Sequence, residues 1–137
     1  MSNVRTNDST GIQLEHVSPI LRVEDMAVSR AFYTEVLEFE EADWGNDYFT
    51  MMVRDGLSLF LCRGEQGQHG TWAWIGFEGN IHAWHRQCVE RGATIRREPT
   101  NYYWAYEFQV EDPDGHVLRI GTEPDTSQPF ADPDTSR

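Results

Sequence analysis

The sequence predicts an α+β fold made of two βαβββ modules. Short runs of alternating apolar and polar residues occur in both halves, as half-buried strands require. A helix is signalled once in each half. A turn separates the last two runs of each half, at Asp55-Gly56 and at Asp112-Pro113-Asp114-Gly115. The order of elements therefore repeats after about fifty residues, a repeat clear in order and weak in identity.

The elements follow in chain order. Val17 to Val23 reads as a strand, and Pro19 places it at an edge or between modules. Asp25 is the expected N-cap of a helix over Met26 to Leu37, with Val28, Phe32 and Val36 on one face. Phe39 to Ala42 is a short strand. Tyr48 to Val53 and Leu57 to Cys62 form a hairpin across Asp55-Gly56. Thr71 to Phe77 is the first strand of the second half. A helix follows from Gly79-Asn80 to Arg91 and stops at Gly92. Ala93 to Arg97, Tyr103 to Glu111 and His116 to Gly121 are the remaining strands. Residues 1–13 read as a flexible N-terminus, 14–122 as the folded body and 123–137 as an acidic, Pro-rich tail. Module one covers 14–65 and module two 70–122. The tail has no periodic apolar face, so deleting 125–137 is expected to change stability little.

The 137 residues fit one domain. A hydrophobic content of 39% with 12% aromatics is too rich for a disordered chain. Acids outnumber bases 23 to 11, a formal charge of −12, which argues against nucleic acid and anionic membrane surfaces. The acid excess suits a cationic or neutral ligand, or serves solubility alone. Every basic side chain is Arg, which excludes a lysine nucleophile. Cys62 and Cys88 form no CxxC, no apolar run spans a membrane, and no apolar leader opens the chain. The expectation is a soluble, cytoplasmic protein with reduced thiols.

The run SPILRVEDMAVSRAFYTEVLEFE resembles the opening of the vicinal-oxygen-chelate (VOC) superfamily, the glyoxalase and bleomycin-resistance fold. TWAWIGFEG and YYWAYEFQVEDPDGHVLRIG resemble its second module, and the ordered series is most similar to the bleomycin-resistance-protein branch. The resemblance implies that each module curls its sheet into a half-barrel around a cleft. It also implies a homodimer with modules paired across subunits.

Enzymes of that superfamily hold a divalent metal with four side chains. Carried onto this chain, the four positions are Ser18, Phe60, Trp72 and Arg119. Serine is a weak neutral donor, Phe and Trp offer no lone pair, and Arg repels a cation, so no metal and no cofactor are expected. A register slip of two would present His16, which is still one ligand. His82 and His85 stand at i, i+3 on the second helix, a spacing open to a metal pair or to a solvated face. His69 and His116 read as surface residues, and the cysteines as core.

Strand alternation places Phe49, Met51 and Phe60 on one sheet face in the first module, with Met51 opposite Phe60 and Phe49 opposite Cys62. It places Trp72 and Trp74 on the cleft face of the second, with Trp104 in the loop leading to Glu107. Glu107, Gln109 and Arg119 should face the cleft. Glu107 either pairs with Arg119 across strands or meets a cationic group of the ligand. The Trp residues either wall a ligand site or fill a core or dimer interface. The expected function is that of a small-molecule binding protein for a planar or cationic molecule, bleomycin-like drugs first. An enzyme with an atypical or lost metal site is the alternative.

Overall fold

The computed structural model describes residues 9–136. The flexible N-terminus expected over 1–13 falls mostly on residues 1–8, outside the described residues. Residues 11–19 have no regular secondary structure and expose Ile12, Leu14 and Val17.

Two four-stranded mixed sheets are built with the same order. The first runs β1 (Ile20–Arg22), β4 (Leu57–Cys62), β3 (Phe49–Arg54), β2 (Glu40–Glu41). The second runs β5 (Trp72–Gly76), β8 (Val117–Thr122), β7 (Tyr106–Glu111), β6 (Thr94–Asn101). In each, the first strand of the module lies parallel to the last, and the other pairs are antiparallel. This is the predicted α+β fold of two βαβββ modules.

Local signals set the boundaries. Asp25 Oδ1 accepts the Val28 N–H at 3.2 Å and starts α1 (Met26–Ala31). The helix then widens into a π-helical turn, Phe32–Val36, and ends where Glu38 takes a positive φ of 58°. Asn80 Oδ1 accepts from both His82 and Ala83 N–H at the start of α2 (Ile81–Glu90). At the hairpin, Asp55 and Gly56 have φ of 51° and 79°, the paired positive values of a I′ turn. β6 runs further than expected, through Pro99, because it is an edge strand where a missing N–H costs nothing. Two register shifts against β7, between Ile95 and Arg97 and between Arg97 and Thr100, accommodate it.

The two modules share one core. Leu21, Tyr33, Leu37, Leu59 and Leu61 from the first pack in the same cluster as Ile81, Cys88, Phe108, Leu118 and Ile120 from the second. The turn after β7 fastens the modules together. Asp114 accepts from the Glu24 N–H and the Ser29 hydroxyl, and Asp112 Oδ2 accepts from Tyr33 Oη at 2.7 Å. His116, expected at the surface, is fully buried here. Its Nδ1 accepts from the Thr71 N–H at 3.0 Å. That bond fixes the tautomer, so Nε2–H donates to the Arg22 carbonyl at 2.6 Å.

Residues 123–136 supply no buried side chain, yet they are not detached. Asn101 Nδ2 donates to the Asp125 carbonyl, the Asp125 N–H donates to Asn101 Oδ1, and the Ala131 N–H donates to the Asn101 carbonyl. A 3-10 turn, Pro133–Ser136, sets Thr135 Oγ1 3.1 Å from Tyr102 Oη.

Two consequences are measurable. Deleting 125–137 removes the three Asn101 bonds, at roughly 1 kcal/mol each. Urea unfolding of the truncated chain is therefore expected to show a clear loss of stability rather than none. Tyr33→Phe is expected to cost about 1–3 kcal/mol by leaving a buried Asp112 oxygen unpaired. Burial raises the Asp112 pKa, and the Tyr33 hydrogen bond pulls against that rise. Without it the folded pKa climbs further, so the variant's deficit is full where Asp112 is ionised. The deficit shrinks as pH falls through the raised pKa, because a protonated Asp112 loses less. Melts of both proteins at neutral and acid pH read that difference.

Candidate functional site

Each sheet has one face on the shared core and one open face. In the first sheet, Thr50, Met52, Leu59 and Leu61 are buried on the core side, and Phe49, Met51 and Phe60 are half-buried on the other. The hairpin register is the predicted one: Met51 opposes Phe60 and Phe49 opposes Cys62. The rings of Phe49 and Phe60 lie 5.2 Å apart. Trp44 completes this wall, 6.2 Å from Phe49 and 6.4 Å from Phe60. Strand alternation could not reveal Trp44, which stands in the loop before β3. The signal is its neighbour Gly45: a Cβ there would lie 1.8 Å from Thr50 Oγ1, so only glycine lets the loop press against the strand.

The second sheet's open face carries Trp72 and Trp74, exposed by 47% and 50%. Trp74 lies across β8 at Gly121, where a Cβ would meet the ring at 2.4 Å. Each indole has a guanidinium over it. Arg96 stands 4.6 Å from the Trp72 ring centre and Arg119 stands 5.5 Å from that of Trp74. Glu107 is fully buried beneath them. Its Oε1 accepts from Arg119 Nε and Nη2, both at 2.7 Å, and its Oε2 accepts from Trp104 Nε1 at 2.8 Å. In register Glu107 opposes Gly121 and Arg119 opposes Gln109, so the ion pair is diagonal. Trp104 in turn stacks on buried Tyr102, with ring centres 4.6 Å apart and planes 4° from parallel.

The cross-strand ion pair expected for Glu107 is formed, and both its oxygens accept hydrogen bonds from within the second module. The predicted residues are also brought together in two sets, not one. Phe49, Met51 and Phe60 belong to the first sheet, and Trp72, Trp74, Trp104, Glu107 and Arg119 to the second. No ring pair joins the two open faces among the described residues. A cavity of about 150 Å³ lies between the modules, touching Ser18, Ser58 and Trp74. A larger one of about 610 Å³ opens on the helix side by Arg54, Phe77 and Trp84, reaching none of the predicted residues.

The four positions where the superfamily holds its metal are internally consistent. Phe60 opposes Ile20 and Arg119 opposes Trp74; Ser18 and Trp72 each stand two residues earlier in the chain, Ser18 in the segment just before β1 and Trp72 at the start of β5. The residues there do not fit a metal. Ser18 Oγ is 2.5 Å from Ser58 Oγ, Phe60 and Trp72 are ring walls, and Arg119 is a cation held by Glu107. Among the described residues no group of three or more His, Cys, Asp or Glu is gathered for a metal.

The remaining candidates are structural. His85, open to a solvated reading, packs edge-on against Phe108, with Nε2 2.7 Å from Glu98 Oε2 but off hydrogen-bond alignment. His82 sits edge-on to Tyr106. Both cysteines are buried, and burial pushes the Cys88 thiol up to about 11, away from nucleophilic use. Among the described residues no helix is long and apolar enough to cross a membrane.

Comparison with solved structures places the fold. TnmS3, an antibiotic binding protein from a Streptomyces strain, superposes with a TM-score of 0.71 at 22% identity, over 83% of this chain and 99% of that one. An integron cassette protein from V. cholerae gives 0.68 at 17% identity, over 81% and 97%. Lactoylglutathione lyase from Agrobacterium tumefaciens gives 0.67 at 14% identity, over 80% and 95%. No curated protein sequence matches the chain. The sequence profile of one family matches residues 13–120, nearly the whole folded body. With that match and this architecture, the chain belongs to the Glyoxalase/Bleomycin resistance protein/Dioxygenase superfamily.

Proposed function

We propose that the protein is a metal-independent binding protein that sequesters a planar small molecule, in the manner of the bleomycin-type resistance proteins. One observation carries the reading. At two of the four positions where relatives hold a metal, this chain has aromatic walls: Phe60, extended by the Phe49 and Trp44 rings, and Trp72, which carries the Arg96 guanidinium over its face. Indole and phenyl faces bind flat molecules by stacking and by dispersion, with no metal chemistry needed. The antibiotic binding protein among the structural neighbours supports the class of function, though at 22% identity it supports no particular ligand.

Each open face is only one wall. A homodimer that sets the first sheet of one copy against the second sheet of its partner would close two clefts, each with Phe49 and Phe60 on one side and Trp72 and Trp74 on the other. Light scattering on the purified protein at tens of micromolar is expected to return a dimer, with or without chelator. A monomer, or a dimer that chelator dissociates, would count against this assembly.

Ligand binding is read by tryptophan quenching, with copper-free bleomycin as the first candidate. Trp72→Ala and Trp74→Ala are each expected to weaken binding by roughly tenfold, the cost of a lost aromatic contact of about 1–1.5 kcal/mol. Wild-type affinity in both variants would remove the second sheet from the site.

A further inference from the structure

We infer that the open face of the second sheet recognises a hydrogen-bond acceptor or anionic oxygen on its planar ligand, with Gln109 and Arg96 as the reading residues. The inference rests on the binding function proposed above and assigns the polarity of the ligand.

Strand alternation puts two carboxylates, Glu107 and Glu111, on this face with Arg96 and Arg119. Glu107 has no exposed surface, and the side chains of Arg119, Arg96 and Glu111 are 29%, 37% and 38% exposed. A molecule laid against Trp72 and Trp74 therefore meets guanidinium N–H groups over the rings, with Glu111 to the side, 3.8 Å from Arg96 Nε. Arg119 is committed to Glu107 through two nitrogens on one oxygen. Arg96 is held more loosely: Nη1 donates to Gln109 Oε1 at 2.6 Å, and its nearest carboxylate, Glu111, is 3.8 Å away.

Gln109 supplies the second observation. It is fully buried in the floor of the sheet. Because its Oε1 accepts from Arg96, its amide orientation is fixed, and a flip would set donor against donor. Its Nε2 then has no partner among the described residues. Arg97 stands opposite Gln109 in register, and its Nε is also buried without a partner. Buried donors are normally paired, so two unused donors at one spot mark a place for an acceptor. The bulge in β6 between Ile95 and Arg97 is what brings this about. The extra residue in that strand is Arg96, and bulges re-aim side chains in this way. Arg96 covers the spot in the ligand-free molecule and is the part able to swing aside, pairing its guanidinium with the incoming oxygen.

The test compares two planar probes of opposite charge, anthraquinone-2-sulfonate and proflavine, by tryptophan quenching checked by equilibrium dialysis. The proteins are wild type, Arg96→Gln and Gln109→Glu, each shown to be folded by its thermal melt. The sulfonate is expected to bind more tightly than proflavine. Arg96→Gln should weaken the sulfonate by roughly tenfold, as for one lost charge-assisted hydrogen bond. Gln109→Glu, which keeps the shape and replaces the donor by a carboxylate, should weaken it further and spare or favour proflavine. Should Gln109→Glu fail to fold, Arg96→Gln on its exposed side chain decides the matter. Tighter binding of proflavine, or a sulfonate affinity unchanged by Arg96→Gln, overturns the inference and leaves the binding function standing. Absence of binding by both probes overturns the inference together with the planar-ligand reading beneath it.

Discussion

A carboxylate without exposed surface has to be paired, and the pairing of Glu107 organises the second sheet. Arg119 is drawn down onto it from two residues along the neighbouring strand, which lays a guanidinium beside Trp74. Trp104 is drawn in from the preceding loop by its indole N–H, which fixes the loop and its stack on Tyr102. Tyr102 is reached in turn by Thr135 from the C-terminal segment. One buried charge thus connects the aromatic wall to residues near the end of the chain. Removing either partner of the Glu107–Arg119 pair would strand the other, which is why such pairs are costly to break even when their net contribution is small.

Much of the fold was legible because its signals are local. Asp25 and Asn80 cap helices wherever they stand, and Asp55-Gly56 makes a tight turn from its own φ preferences. Once that turn is placed, period-two alternation fixes which residues oppose which, and Met51 does face Phe60. The misjudged residues depend on distant partners. His116 looked exposed because it follows a turn, but the first strand and the start of β5 close over it. The tail lacks apolar periodicity and supplies no buried side chain; its attachment, which runs through backbone groups and one asparagine, leaves no hydrophobic pattern to read. Trp44 and the β6 bulge escaped for a related reason: alternation counts assume a regular strand, and neither a loop nor a bulge obeys the count.

The site residues were legible as positions and not as partners. Sequence placed Glu107 and Arg119 on the correct face, but two outcomes were compatible with that face. The geometry shows the pairing, with both Glu107 oxygens accepting from Arg119 and Trp104. The same limit applied to the aromatic residues: sequence placed them on the cleft face of each module's sheet, and alternation within a strand says nothing of how the two sheets' faces meet.

That division bears on how charge acts here. The formal charge of −12 belongs to the whole molecule and sets the field at a distance, where salt screens it within about 10 Å. Contact is governed by the groups within a few ångströms, and over the rings of the second sheet those are Arg96 and Arg119, with Glu107 buried beneath Arg119 and Glu111 beside Arg96. The long-range and short-range terms are therefore separate. An acidic surface slows the approach of an anion and speeds that of a cation, while what is held at contact depends on the donors and acceptors the ligand meets there. Arguing ligand charge from composition mixes these two terms. The exposed groups on the face itself are the better guide, because equilibrium affinity is decided at contact and the far field acts mainly on the rate of encounter.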